Sequence, residues 1–364
     1  MFTRKRKWLV CISLMVCLAT LVTAGCASPP SEEVAPTGPE PAAPEQAAQE
    51  VYEWKCQTSD VPGTLGWDKT LPEFIENVKK MTNGRVIITA YPGESLIKTA
   101  EIRDAVGMGV IEMGREGPGV GASSVPEGLV LQGLPMSGNS QMDQMVLTRE
   151  LGLLDIAREA FAEINVYLLN EMTSGGTYMW FTDNVSSLDD FQGKKVRGFG
   201  SQNDLVDALG GASVSLPHSE SFMALQLGTI DGYITSPGKY MELKHYEICK
   251  YFVRTPMLAI TNNDIEINLD VWNELPDDIK AILEVAGAEH SIRYARAQYM
   301  LNQEFFSRGS ELYGTNFIDF SQEDIAKMTQ AAVPIWDEFG ARSPGAAEMV
   351  RILKEHFRAL GILE

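Results

Sequence analysis

The stretch Gly193-Lys-Lys-Val-Arg-Gly-Phe-Gly200, with Ala-Leu-Gln-Leu-Gly-Thr-Ile-Asp-Gly-Tyr-Ile-Thr-Ser-Pro at residues 224–237, decides how this chain folds. Lys195 to Phe199 reads as a strand, and Ser201 with Asp204 makes a capping-box start for a helix carrying Leu205, Val206 and Leu209. Gly210-Gly211 stops that helix. Ala212 to Leu216 reads as a second strand, Ser219 or Ser221 as the cap of a helix from Phe222 to Leu227, and Ile230 to Ile234 as a third strand. The result is a βαβαβ run. In open α/β sheets ligands bind beyond the carboxyl ends of the strands, where loops leave free backbone amides. Arg197 stands at such an end, and its guanidinium can hold a carboxylate through two parallel hydrogen bonds. From spacing alone it reads equally as a solvated strand-end charge or a structural ion pair, the commoner roles of an arginine.

Working toward the amino terminus, Val51 to Thr58 reads as a strand. Thr70-Leu-Pro-Glu73 looks like a capping box, and Leu71, Phe74, Ile75, Val78 and Met81 recur at helical spacing until Asn83-Gly84. A strand over residues 85–90, a Tyr91-Pro-Gly93 turn, a helix over 99–108 and a strand over 110–114 complete that part. Gly117-Pro-Gly119-Val-Gly-Ala122 echoes a dinucleotide fingerprint, but neither an amphipathic helix nor a ribose-binding acid follows. It reads as a loop at the sheet edge. Ahead of all this, Arg4-Lys-Arg-Lys7 and an apolar run from Trp8 to Val22 have the layout of a secretory signal peptide over residues 1–25. Residues 26–50 are rich in Pro, Ala and Glu and read as a disordered tether. Losing that leader would remove four positive charges from a chain whose net charge is already −19. So acidic a surface disfavours nucleic acid and anionic lipid as partners.

Working toward the carboxyl terminus, residues 144–164 carry apolar positions at helical spacing, and 164–170 and 177–182 read as two strands. Strand-like runs at 246–253, 258–260 and 264–269 follow. Trp272-Asn-Glu-Leu-Pro-Asp-Asp278 opens a long helix with Ile279, Ile282, Leu283, Ala286 and Ile292 on one face, reaching about residue 306. Residues 322–339 and 346–360 read as amphipathic helices.

The Gly-Lys-Lys-Val-Arg segment and the later Gln-x-Gly-x-x-Asp-Gly resemble the signature of the solute-binding proteins of TRAP (tripartite ATP-independent periplasmic) transporters. The helix, Thr-Asn-Gly-Arg, strand and Tyr-Pro-Gly order near the start and the Trp-x-x-Leu-Pro helix opening are also similar. The resemblance implies an α/β, two-domain periplasmic-binding-protein-like fold with mixed sheets, hinge strands and a long domain-spanning helix. Domain I would comprise residues 51–174 with 262–302, and domain II residues 175–261 with 303–330. The C-terminal helices of residues 331–364 would pack on both. It further implies that Arg197 holds the carboxylate of an organic acid, with Arg115 and Glu116 facing the ligand from the first domain. A TRAP membrane permease would be the partner. Thr23-Ala24-Gly25-Cys26 resembles a lipobox, which would make Cys26 the site of lipidation and tether the protein outside the cytoplasm.

Two departures narrow the ligand. Where members often carry a second substrate-binding arginine, this chain has Tyr178-Met179-Trp180, which favours a mono-acid with an apolar or aromatic body. Where some carry a metal-ligating Glu after Asp-Gly-x, this chain has Ile234 and Thr235. No metal and no cofactor are expected, while Thr235 keeps a hydroxyl for a substrate oxygen. Trp67 and Phe199 are candidates for an aromatic wall, or else for core. Cys56 and Cys249 read as two separate buried thiols. No Gly-x-Ser-x-Gly, His-Glu-x-x-His, Cys-x-x-Cys or P-loop occurs, and the acidic pairs Asp189-Asp190 and Asp277-Asp278 sit at helix starts. A monomeric binding protein is therefore the expectation, with a ligand-presenting receptor for a sensor kinase and an exported enzyme as the other classes.

Overall fold

A computed structural model of the chain describes residues 50–120, 125–137, 140–361 and 363. The signal peptide, the tether and Cys26 lie outside the described residues. Within them the chain builds one nine-stranded mixed sheet. In chain order, β1 (Tyr52–Thr58), α1 (Leu71–Met81), β2 (Val86–Tyr91), α2 (Ile102–Gly107) and β3 (Met113–Glu116) form a parallel β2-β1-β3 unit. Next come α3 (Pro126–Gln132), α4 (Gln141–Met145) and α5 (Leu153–Ala162), then β4 (Val166–Phe181). A second parallel unit follows with α6 (Leu188–Phe191), β5 (Lys195–Arg197), α7 (Ser201–Ala208), β6 (Ala212–Val214), α8 (His218–Gln226) and β7 (Gly232–Thr235). The chain closes with α9 (Pro237–Glu242), β8 (Tyr251–Asn268), α10 (Leu269–Glu274), α11 (Asp277–Tyr313), β9 (Asn316–Ile318), α12 (Gln322–Gly340) and α13 (Pro344–Ala359).

The strand order β2-β1-β3-β8-β4-β7-β5-β6 explains how two half-sheets become one. β4 and β8 are 16 and 18 residues long and antiparallel, paired from Val166 opposite Asn268 to Phe181 opposite Tyr251. β3 pairs with one end of β8, Glu116 lying opposite Asp264. β7 pairs with the far end of β4, Thr235 lying opposite Tyr178. Both short strands therefore run toward the middle of the long pair, and the carboxyl ends of the two parallel units converge there. At that middle the register of β4 against β8 shifts repeatedly between Thr173 and Trp180, and Gly175 takes a left-handed φ of 83°. Such bulges break the ladder and bend the strand.

Several local expectations give way to longer-range packing. The runs 164–170 and 177–182 are one strand, because Ser174-Gly-Gly is bridged by β8 on one side rather than turned. β3 begins at Met113 and not at Val110, which is exposed, so Arg115 and Glu116 are themselves strand residues. The loop after Glu116 leaves an interior strand, not a sheet edge. Thr70 does not cap α1, since helical turns already occupy Gly66–Thr70 before it. Ser201 is inside α7 and donates to the carbonyl of Gly133, while the cap position belongs to Gly200. α8 starts earlier, at His218 after Pro217, and Ser221 lies within it. Ile292 is exposed, because a 37-residue helix crossing two half-sheets changes its buried face along its length.

Three apolar clusters hold this frame. One packs α1, β1, β2 and the start of α11 around Trp54, Phe74 and Leu283. A second gathers Trp180, Tyr233, Tyr240, Phe252 and Phe305. The third lies under α12 and α13 and runs from Phe161 through Phe181 and Phe191 to Trp336 and Phe357. Cys56 and Cys249 are free and buried, one in each of the first two clusters.

Candidate functional site

Arg197 ends β5, and its register partner on β7 is Tyr233, so both side chains leave the same face of the sheet. Only 1% of the arginine is exposed. Its Nε donates to the carbonyl of Leu216 at 3.0 Å, and its charged plane lies 3.9 Å from the Phe199 ring centre and 5.2 Å from that of Tyr233. Nη2 is buried with no hydrogen-bond partner. Among the described residues no carboxylate pairs with this guanidinium. Burial pushes its pKa down to about 10. A buried cation left without an anion is costly, and such groups in native proteins call for an explanation.

The groups around it are neutral. Tyr233 Oη and His218 Nδ1 share a hydrogen bond, and His245 Nε2 lies 3.0 Å from Ser221 Oγ. Burial, reinforced by the charge on Arg197, holds His218 well below the usual imidazole range and pushes His245 down to about 4. The site thus presents the Arg197 charge in a box of neutral aromatic groups, with Lys239 near enough to act on His218 and Tyr233 as well. On neighbouring β4, Thr177 accepts from Gln202 at 3.2 Å. Tyr178 has its ring 5.1 Å from Phe252 and 5.6 Å from Phe306. Thr235 is buried opposite Tyr178 at the end of β7, and its carbonyl accepts from Trp180 Nε1 at 3.0 Å.

The amino-terminal half answers with a different arrangement. Adjacent residues of a strand point to opposite faces, so Arg115 and Glu116 do not act together or pair with each other. Arg115 forms an ion pair with Asp60, its charge lies 5.3 Å from the Tyr294 ring, and burial lowers its pKa. Glu116 is 3.3 Å from Arg103, which also binds Glu266 at 2.7 Å. With Asp264 close by, three buried carboxyls share that guanidinium. Burial and the Glu266 charge hold Glu116 and Asp264 well above the usual carboxyl range. Trp67 is half-buried on the turn before α1.

Sequence reasoning missed the contacts that join the halves. Lys239, on α9 after β7, reaches across to Asp60 at 3.1 Å and pairs with Glu242 of its own helix at 3.6 Å, while Glu242 reaches across to accept from the amide of Leu65 at 2.7 Å. It also missed a polar stripe on α11. His290, Tyr294, Gln298 and Asn302 are all buried, four residues apart, with Gln298 donating to Tyr294 Oη at 3.2 Å. That i, i+4 polar spacing inside an otherwise apolar face was the available signal. Among the described residues no group of three His, Cys, Asp or Glu is placed to hold a metal ion.

A family model described as bacterial extracellular solute-binding protein, family 7 (DctP), matches residues 63–343. The chain belongs to this family. A monocarboxylate 2-oxoacid-binding periplasmic protein of Nostoc sp. is 27% identical over 290 residues, which is 76% of this chain and 78% of that protein. The crystal structure of a TRAP periplasmic solute-binding protein from Pseudoalteromonas atlantica, with bound sodium and pyruvate, superposes with a TM-score of 0.80. It is 18% identical, covering 86% of this chain and 95% of that one. DctP7 of Bordetella pertussis, an extracytoplasmic solute receptor binding pyroglutamic acid, gives a TM-score of 0.76 at 16% identity over 83% of this chain and 99% of that one. The DctP-type fold, with long strands and a long helix shared by two half-sheets, is therefore the fold of this chain. DctP-type proteins are solute-binding receptors, and among the described residues no helix is long and apolar enough to cross a membrane.

Proposed function

We propose that this protein captures a small monocarboxylic acid outside the cytoplasm and delivers it to a TRAP permease without altering it chemically. The observation that carries the reading is the buried, anion-free Nη2 of Arg197 at a convergent strand end. A ligand carboxylate would supply the missing acceptor, and Thr235 a hydroxyl for a second oxygen. Phe199 on the guanidinium and the ring of Tyr178 suit a ligand with an apolar or aromatic body. Relatives that take 2-oxo acids, pyruvate or pyroglutamic acid support that substrate class. A metal-bridged mode is not part of this reading, because the resemblance puts Ile234, a buried apolar residue, where some members carry a ligating Glu.

In this reading residues 51–174 with 262–302 and residues 175–261 with 303–330 move as two halves. The bulged middle of β4 is their hinge, and residues 331–364 pack on both. Closing expels water from around Arg197 and strengthens its ion pair as the local dielectric falls. Trp67, Arg115 and Glu116 are the candidates from the first half. Arg115 acts through Asp60, which Lys239 of the second half also grips, so closure and the ion-pair clasp form together. Lipidation at Cys26 would hold the protein on the outer side of a membrane. A thermal-shift and calorimetric panel of 2-oxo acids, pyroglutamate and aromatic mono-acids, with matched amides as controls, tests the reading. Binding of an acid but not of its amide is the expected result. Equal affinity for both, or binding of none while an uncharged solute binds, overturns it.

A further inference from the structure

The walls around Arg197 are of two kinds. Arg197 and Tyr233 are buried, whereas Phe199 and His218 are half-buried and Lys239 keeps part of its side chain open. The open members mark the side from which an acid reaches the guanidinium. His218 begins α8, and the loop before it wraps the arginine, since Leu216, two residues earlier, accepts from Arg197 Nε. The imidazole centre lies 5.8 Å from that of Phe199 and 5.7 Å from that of Tyr233, the same two rings that flank the guanidinium.

Only one nitrogen of this imidazole is engaged. Nδ1 shares a hydrogen bond with Tyr233 Oη, and among the described residues nothing bonds to Nε2. The charges of Arg197 and Lys239 favour loss of the Tyr233 proton, which makes its hydroxyl the better donor of the two. A neutral imidazole has one donor and one acceptor, so its own hydrogen is left on Nε2, facing the open side. Among the described residues the titratable groups facing His218 are Arg197 on β5, Tyr233 on β7, Lys239 on α9 and His245 on the turn before β8; none is a carboxyl. Burial and the two cations keep the ring neutral while no acid is bound. A carboxylate seated on Arg197 offsets that charge and sets a negative one beside the ring, which favours the imidazolium.

We propose that His218 is a second partner of the ligand's carboxylate, donating from Nε2, and that capture of the acid draws a proton from solvent onto Nδ1. This rests on Arg197 as the carboxylate's first partner. The charged ring donates from both nitrogens, Nε2 to the acid and Nδ1 to Tyr233 Oη, with the tyrosine hydroxyl rotating to accept. Because the bound acid raises the imidazole's pKa, affinity grows as pH falls from the bound value toward the free one, by up to about tenfold per pH unit. An α-carboxyl, ordinarily at about 3.5, stays ionised through that window. Capture therefore tightens in mildly acidic surroundings and slackens as pH rises, and a neutral amide in the same site gains nothing from the change.

The test is titration calorimetry on the full exported chain with pyruvate, pyroglutamate and the other acids of the panel, matched amides serving as controls. From about pH 7.5 to about pH 5.5 the affinity for an acid should rise about fivefold or more, with uptake of about half a proton per acid near the middle of that range, read from the difference between phosphate and Tris buffers. His218→Gln keeps a neutral donor but takes no proton, so it should lose both the uptake and the pH dependence. His218→Leu removes the donor as well and should weaken acid binding by about tenfold even at the upper pH. In the parent protein, the His218 ring signals should move to their charged positions when acid saturates the site, a reading that needs no variant to fold. An acid whose binding is lost in Arg197→Met, yet whose affinity is flat with pH and whose binding takes up no proton, overturns this inference and leaves the Arg197 reading in place. So does a pH dependence retained in His218→Gln. Binding of no acid, or equal binding of acid and amide, overturns both.

Discussion

Replacing Arg197 with methionine should move stability and binding in opposite directions. In the protein without ligand, burial strips the guanidinium of water and holds its pKa at about 10, against an ordinary 12.5. At about 1.4 kcal/mol per unit, holding that charge costs the folded state roughly 3 kcal/mol. Arg197→Met removes this cost but strands the carbonyl of Leu216, which is worth about 1 kcal/mol. The ligand-free variant should gain about 2 kcal/mol, or roughly 4 °C in Tm for a body of this size. Binding of a mono-acid should lose about 2–5 kcal/mol, a fall of about 30-fold to several thousand-fold, since a desolvated carboxylate would have no partner. Differential scanning calorimetry without ligand and titration calorimetry with an acid found in the panel measure the two effects. A variant that melts several degrees lower and binds as tightly as the parent would show that the arginine braces the fold, and the ligand assignment would fall.

Other consequences follow from the same geometry. Lys239→Gln leaves Asp60 its Arg115 partner but removes the cross-half contact at 3.1 Å. Stopped-flow measurements should show a faster ligand off-rate, by about two- to tenfold, with little change in on-rate. His245 and His290 are held at about 4 and about 3, chiefly by burial, against 6.5 in the unfolded chain. Their stabilising contribution is complete above pH 6.5 and is lost as pH falls toward those values, each at up to about 1.4 kcal/mol per pH unit. NMR titration should place both midpoints below 5, and His290→Leu should flatten the loss of stability between pH 6 and 4; an imidazole titrating near 6.5 contradicts its burial. Cys56 and Cys249 are buried, with burial raising each thiol to about 12. Neither should react with a disulfide reagent until the protein unfolds, and rapid labelling of either under native conditions would show that its cluster opens.

Much of this protein was legible because its signals are local. Strand composition, the glycine stops and the arginine at the end of a βαβαβ run are matters of neighbouring residues, and the parallel units they describe are present. Helix starts were read less well where tertiary partners competed. Thr70 and Ser201 look like caps, yet one is preceded by helical turns and the other spends its hydroxyl on Gly133. The resemblance put Arg115 and Glu116 side by side facing the ligand, but a strand sends them to opposite faces, where Asp60 and Arg103 wait.

The sequence by itself determined the two parallel units and the position of a cation at a strand end, because short-range periodicity and turn chemistry encode them, while the fold family came from the resemblance of its Gly-Lys-Lys-Val-Arg and Gln-x-Gly-x-x-Asp-Gly motifs. Only the tertiary structure decided that two separately written strand runs are one 16-residue strand, that both sets of carboxyl ends meet at its bulged middle, and that Lys239 reaches Asp60 across 179 positions of chain. It also decided that, among the described residues, no carboxylate pairs with Arg197. Charge neutralisation depends on what folds within about 4 Å of a group, and distance along the chain carries almost no information about that.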